Sequence, residues 1–261
     1  LTAIALRNHF FNQCCLACSE ETGINVNFCH RMIAPFGVCK SAFTHVTKIT
    51  SFIAPLIASL DSSVFRECPE LRKVELTGLE QMSNSNFDGC TSLTEVLIPK
   101  IKIITEYAFR GCTSLTSFVF SAIETINNYA FDGCSRLTGD IVVSKLTKLG
   151  NYSLRGCAIT SFTADNLDTI GTYAFGGNKN MLVIDLTNVT SIAANAFNGC
   201  TSLEAVIIRD ATPPTLANSN AFTITNDCPI YVPDESVETY KSASNWSGRA
   251  GRIKSLSEYE E

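Results

Sequence analysis

Charge is scarce in this chain. Of its 261 residues 17% are charged, and the formal net charge is −5. With no run of Lys or Arg there is no cationic surface to displace counterions from a phosphate backbone, so nucleic acid is excluded as a partner. No apolar run approaches the roughly eighteen residues of a membrane span. Histidine is nearly missing as well: His9, His30 and His45 all lie toward the N-terminus. A nucleophile, base and orienting group, or a histidine metal triad, is therefore not expected along the rest of the chain. The carboxylates Glu75, Asp140, Asp165, Asp168 and Asp185 are dispersed, and no Gly-x-Gly-x-x-Gly or Walker-type loop is present. No enzyme activity, catalytic residue, cofactor or resident metal is expected from such a pattern. The start at Leu1 shows no basic, apolar and small-residue succession of an export leader. Since it also lacks Met, a leader removed earlier or a domain upstream of Leu1 is compatible with it.

What the chain has in quantity is apolar side chains (45%), twelve cysteines and a period. An aromatic or aliphatic residue following a small one recurs as Phe43, Phe65, Phe87, Phe109, Phe131, Leu154, Phe175, Phe197 and Phe222, in steps of 22, 22, 22, 22, 23, 21, 22 and 25. Five residues earlier stands Val38, Leu60, Met82, Ile104, Ile126, Leu149, Ile170 or Ile192. Three residues later comes Cys68, Cys90, Cys112, Cys134, Cys157 or Cys200, and a Leu-x-x-Val-x-Ile run follows. The unit reads Ile-x-x-x-Ala-Phe-x-Gly-Cys-x-x-Leu-x-x-Val-x-Ile. Periods of 20 to 50 residues mark repeat architectures.

The Leu-x-x-Val-x-Ile half alternates like a strand, and the Ile-x-x-x-Ala-Phe-x-x-Cys half has the spacing of a helical turn or two. A single 22-residue loop cannot shield its own apolar side chains, but stacked loops can, each buried Leu, Ile or Phe contributing roughly 1.5 to 3 kcal/mol. The expected fold is thus an α/β repeat solenoid of about nine units, each a short strand plus a short helix or 3₁₀ turn. Glycines before the cysteine slot (Gly89, Gly111, Gly133, Gly156, Gly177, Gly199) are expected to end the helix at positive φ. The small residues before the Phe (Ala42, Ala108, Ala130, Ser153, Ala174, Ala196, Ala221) fit where neighbouring turns approach closely. Residues 1–37 read as an irregular Cys-rich cap or degenerate repeats, 38–232 as the solenoid, and 233–261 as a helical cap and tail in which Trp246 covers the last turn.

The units Ala108-Phe109-Arg110-Gly111-Cys112-Thr113-Ser114-Leu115 and Ala196-Phe197-Asn198-Gly199-Cys200-Thr201-Ser202-Leu203 resemble the BspA-like class of bacterial leucine-rich repeats, over about residues 38 to 232. The closing segments Cys228–Pro233 and Ser236–Lys241 resemble the last strand and capping helix often seen in Bacteroides members. The resemblance implies a leucine-rich repeat fold, an extracellular or cell-surface location, and adhesion or other protein binding without catalysis.

Register assigns six of the twelve cysteines to one interior slot. Parallel side chains stacked at the inter-strand spacing of roughly 4.8 Å suit the Cα separation of a disulfide better than its Cβ geometry, so buried free thiols acting as small apolar side chains are expected. Val46 and Asn178 occupy the same slot. Cys14, Cys15, Cys18, Cys29, Cys39 and Cys228 lie outside it; for the N-terminal four, with His30, disulfides, buried thiols and a zinc site are all open.

A candidate binding face follows from strand alternation. If the Val and final Ile positions point inward, the residues between them point out: Ile53, Glu75, Leu97, Val119, Val142, Thr163, Asp185 and Ile207. Five of these eight are aliphatic, as a partner surface or the strand preference of β-branched residues would each produce. Lys73, Glu95, Ser117 and Ser161 would form a polar rim. A second stripe, Tyr107, Tyr129, Tyr152 and Tyr173, could hold a glycan or peptide or simply brace adjacent turns. The leading expectation is a monomeric, non-enzymatic protein-binding module using the strand face. A spacer that displays an upstream domain and a carbohydrate-binding module are the alternatives.

Overall fold

The computed structural model describes residues 37–260 apart from 219, 224 and 226. The expectations for the N-terminal cap, including the zinc and disulfide readings of Cys14, Cys15, Cys18 and Cys29, lie outside the described residues. The rest winds as a parallel β-solenoid of nine turns, numbered here by the residues Phe43 (turn 1) to Phe222 (turn 9). Each turn has three sides, and most sides are joined by hydrogen bonds to the turns above and below.

The first side carries the longer strands: Ser51–Ile53, Lys73–Glu75 and Glu95–Leu97 in turns 1 to 3, then Thr138–Val143, Ala158–Ala164, Val183–Leu186, Ala205–Ile208 and Ile230–Val232 in turns 5 to 9. All pair in parallel with a period of one repeat, as in Ile53↔Glu75↔Leu97 and Val142↔Thr163↔Asp185↔Ile207. The second side is a ladder of two-residue strands from Ser59–Leu60 to Thr215–Leu216. The inward residues of both sides, such as Val74, Leu76, Ile104 and Ile184, are buried in one continuous core.

The third side corrects the expectation of a helix in every unit. Residues around each repeat Phe form consecutive tight turns, and the α-helix of the described residues, Val237–Ser242, lies in the C-terminal cap. The spacing that suggested a helix is real, but the backbone reverses hand twice within it. Tyr107 and Gly111 flank Phe109 at φ 57° and 70°, and Tyr129 and Gly133 flank Phe131 at 56° and 75°. An α-helix tolerates neither. The carbonyls and amides therefore turn toward the neighbouring turn: the amides of Tyr107, Phe109 and Gly111 donate to the carbonyls of Asn128 (3.2 Å), Ala130 (2.7 Å) and Asp132 (2.8 Å). A left-handed conformation at a non-glycine residue costs about 1–2 kcal/mol, and the array tolerates it at Tyr107, Tyr129 and Tyr152 because each gains an inter-turn bond. The positive φ expected for the glycines is present, though it ends no helix.

Inside this corner the Phe rings stack face to face, 5.2–5.4 Å apart from Phe43 through Phe131 and 5.0–5.5 Å from Phe175 through Phe222, with Leu154 between the two columns. Ala108, Ala130, Ser153, Ala174, Ala196 and Ala221 are all buried. The slot is less strict in turns 2 and 3, where Val64 and Asn86 are equally buried and the Asn86 amide bonds back to Val64 N and Ser83 O.

The thiol ladder is more than apolar filling. Cys68, Cys90, Cys112, Cys134, Cys157 and Cys200 are buried and unbridged, and each Sγ–H points at the Phe carbonyl of the preceding turn at 2.9–3.4 Å. Asn178, in the same slot, donates from Nδ2 to Leu154 O and Phe175 O, both at 2.8 Å. In turns 2 to 8 the slot thus holds a short side chain that donates; Val46, in the same slot of turn 1, has no donor.

In one place the solenoid is not closed. On the first side turn 4 forms no strand, so pairing stops at Glu95–Leu97 and resumes only at Thr138–Val143; on the second side it stops between Gln81–Met82 and Ile103–Ile104. The tight-turn corner stays bonded there, with Phe87 N to Ala108 O at 2.8 Å and Gly89 N to Arg110 O at 2.7 Å. The cause on the first side is volume. Where a Phe takes the first inward strand position, the second is normally Ala: Phe52 with Ala54, Phe162 with Ala164. Turn 4 places Phe118 and Phe120 at both, 5.0 Å apart, and Phe118 is also wedged edge-on between Phe109 (5.3 Å) and Phe131 (5.1 Å). Overfilling a packed interior is relieved by backbone shifts, and residues 117–120 form no strand.

The C-terminal end is covered by a compact cap. Ile253–Ser255 extends the long-strand sheet beside Ile230–Val232. Trp246 lies over Phe222 at 5.8 Å and donates from Nε1 to Pro214 O at 2.9 Å, closing the last turn.

Candidate binding face

The long-strand side carries the outward residues, in register except at Val119 of turn 4, and it divides into two halves. Leu97, Val119 and Val142 are 43%, 65% and 62% exposed and succeed one another across turns 3 to 5. Ile53 is exposed two turns earlier, with the half-buried Glu75 between it and Leu97. Beyond Val142 the side becomes polar: Thr163 is half-buried, and Asp185 is held by a bidentate pair with Arg209 (Nε to Oδ1 2.8 Å, Nη2 to Oδ2 2.6 Å).

Ile207 departs from the expected outward stripe, being only 2% exposed. Its register neighbours on this side are Asp185 and Tyr231. Arg209, just past the end of this strand, pairs with Asp185 next to Ile207 in register. The solvent-facing apolar stripe is therefore shorter than the alternation implied.

At turns 2 to 4 this side is concave, forming a groove of about 310 Å³ with Lys73, Glu75, Glu95, Leu97, Phe118 and Val119 among its lining residues. Lys73 Nζ stands 3.7 Å from a Glu75 carboxylate oxygen and 3.4 Å from one of Glu95. One ammonium is shared by two carboxylates, which leaves the groove with a net negative charge. Of the other expected rim residues, Ser161 donates to Asp140 Oδ1 at 2.7 Å, with Thr160 beside it at 2.8 Å, and these bonds hold the Asp140 carboxyl below the usual carboxylate range.

Tyr107, Tyr129, Tyr152 and Tyr173 form a column on the tight-turn corner, their rings 4.8–5.2 Å apart and within 13° of parallel. Arg110 and Arg155 lie 4.7 and 4.8 Å from the ring centres of Tyr107 and Tyr152 and are anchored by bidentate pairs to Asp88 and Asp132. The ring faces are turned to one another, which is the arrangement of bracing; a sugar stacks on an open face. Sequence reasoning passed over the Arg–Asp pairs, although the 22- and 23-residue separations of Asp88 from Arg110 and Asp132 from Arg155 match the repeat.

The described histidine, His45, is paired with Glu67 at 2.7 Å. Among the described residues no three His, Cys, Asp or Glu side chains are grouped to hold a metal, and no helix is long and apolar enough to cross a membrane.

Comparison with known proteins agrees with the repeat. A family model described as a BspA type leucine rich repeat region matches residues 37–139 and 102–229, in six copies. The crystal structure of a leucine-rich repeat protein from T. pallidum aligns over 61% of this chain and 80% of its own, with TM-score 0.54 and 22% identity, a likeness of fold. A leucine-rich cell surface protein from Faecalibacterium prausnitzii aligns over 83% of this chain and 81% of its own (TM-score 0.41, 15% identity), and a leucine-rich repeat protein from Bacteroides ovatus over 84% and 86% (TM-score 0.36, 15% identity). A search of the curated proteins finds no match.

Proposed function

Since the chain belongs to the BspA-type leucine-rich repeat family, we propose that it is a non-enzymatic protein-binding or adhesion module, carried on a cell surface or secreted, that engages its partner through the long-strand side. The observation that carries this reading is the unbroken run of exposed Leu97, Val119 and Val142 beside a concave, charged groove. Aliphatic side chains left in water on three successive turns lose the stabilisation that burial elsewhere in the same repeat supplies. Contiguous exposed apolar surface rimmed by polar groups marks a contact site more often than scattered apolar residues do. The tyrosine column serves the framework in this reading, since its faces are already in contact.

The test is to measure binding of the purified chain to a panel of extracellular host and bacterial surface proteins, then to repeat it with Leu97→Asp and Val119→Asp. Both positions are exposed, so the substitutions should leave the unfolding midpoint nearly unchanged while abolishing the interaction. Undiminished binding by the doubly substituted chain would remove the long-strand side from consideration.

A further inference from the structure

We infer that the open seam between turns 3 and 4 is the docking point for an extended peptide segment of another protein, one that carries a basic side chain beside aliphatic ones. This rests on the proposed use of the long-strand side and makes it specific. In turns 1 to 3 that side is closed by a repeated set of main-chain bonds. At one end of the strands Arg72 N donates to Thr50 O (2.8 Å) and Thr94 N to Arg72 O (2.9 Å); at the other, Ala54 N donates to Glu75 O and Leu76 N to Leu97 O, both at 2.9 Å. The next members of these series would be Thr116 N to Thr94 O and Ile98 N to Val119 O, and neither bond is made. Of the four main-chain groups these bonds would use, the carbonyls of Thr94 and Val119 belong to residues that line the groove, while Ile98 is buried beneath it. Thr94, Thr116 and Val119 are exposed there. An extended peptide supplies N–H donors to such carbonyls, the basis of strand-like peptide recognition.

The side chains around these groups state what the peptide carries. Leu97 and Val119 offer apolar contacts on either side of the seam, and Phe118, only partly buried, lies between them in sequence and lines the groove. Glu75 and Glu95 share the single ammonium of Lys73, so an incoming Lys or Arg completes the second pair and an acidic peptide meets repulsion. At about 310 Å³ the groove is at the small end of ligand clefts, roughly 300–1,000 Å³, which suits a few side chains of a strand laid across it. The seam is opened by Phe118 and Phe120 together, so the two residues that disturb the repeat are also the ones that make the site.

The experiment uses a displayed library of random eight-residue peptides selected against the intact chain, with the best peptide synthesised and titrated by fluorescence anisotropy. The expected consensus places Lys or Arg next to aliphatic residues. Its affinity should fall at least tenfold for a Phe118→Val, Phe120→Ile chain, in which the repeat's usual inward residues let the ladder close, while the unfolding midpoint stays level or rises. Slower hydrogen exchange at the amides of Ile98 and Thr116 in that chain would confirm closure. Should it fold poorly, Glu75→Lys with Glu95→Lys serves instead, with the same tenfold loss expected. Enrichment of acidic peptides, failure to enrich any peptide, or equal affinity for the closed-seam or charge-reversed chain overturns the inference. So does saturation of the groove by a second copy of this chain, seen as concentration-dependent association that those variants abolish. A partner protein lost on Leu97→Asp but kept on closing the seam would leave the long-strand side standing and refute only the peptide site.

Discussion

Asn178 offers the sharpest perturbation of the interior ladder. It is fully buried, donates from Nδ2 to two carbonyls at 2.8 Å, and leaves its Oδ1 without a partner. Replacing it by Ala removes two hydrogen bonds, each with a net value of about 0.5–1.5 kcal/mol. The lost amide volume adds a cavity term of about 24 cal/mol per Å³, so a total loss of about 2–4 kcal/mol is expected. Asn178→Cys should behave differently. It installs the side chain used at six equivalent positions, restores a donor toward Leu154 O and removes the unpartnered oxygen, so the expected change is within about 1 kcal/mol of the parent. Equilibrium urea unfolding followed by far-UV circular dichroism reads the difference, provided the slope m is unchanged, because repeat arrays can lose two-state behaviour. If Ala and Cys destabilise equally, donation to the preceding turn is irrelevant and the ladder is simply a row of small side chains.

Three further outcomes follow from the same framework. Phe109, stacked on Phe87 and Phe131, should cost about 3–5 kcal/mol when changed to Ala; Phe43→Ala, with one stacked ring beside it at 5.2 Å, should cost less, and equal urea-midpoint shifts would contradict that grading. Burial pushes the thiols of Cys112, Cys134 and Cys157 upward and that of Cys200 up to about 12. A thiol raised on folding stabilises fully below its ordinary value near 9 and loses that contribution as pH climbs toward 12, at about 1.4 kcal/mol per unit for each thiol, so thermal midpoints at pH 8, 10 and 11 should fall progressively. Alkylation followed by peptide mass mapping should modify the ladder cysteines only after denaturation; native labelling of Cys112 would contradict its burial.

Much of this solenoid is written in its period. The nine-turn register, the inward Phe and Cys positions and the outward Leu97, Val119 and Val142 all follow from residue spacing, because in a stacked array each position meets its own equivalent one repeat away. The tight-turn corner was read as helix since apolar spacing reports which residues share a side, not the sign of φ. Tyrosine at positive φ breaks the helix without any glycine to announce it. Asn178 in a cysteine slot was the available hint that the slot needs a donor. The open seam was latent in the pairing of Phe with Ala in turns 1 and 6 and of Phe with Phe in turn 4, a volume argument that needs the inward positions fixed first. Ile207 departs from the stripe because alternation cannot foresee what covers a strand position, here the neighbourhood of the Arg209–Asp185 pair and Tyr231.

The central claim is that a protein partner sits on the long-strand side. Hydrogen–deuterium exchange of the chain with and without a bound partner tests it most directly. The account expects protection concentrated at residues 73–75, 95–97 and 116–120, with the Tyr107–Tyr173 corner unchanged. Protection confined to that corner, with the strands around Leu97 and Val119 exchanging as in the isolated chain, would contradict it.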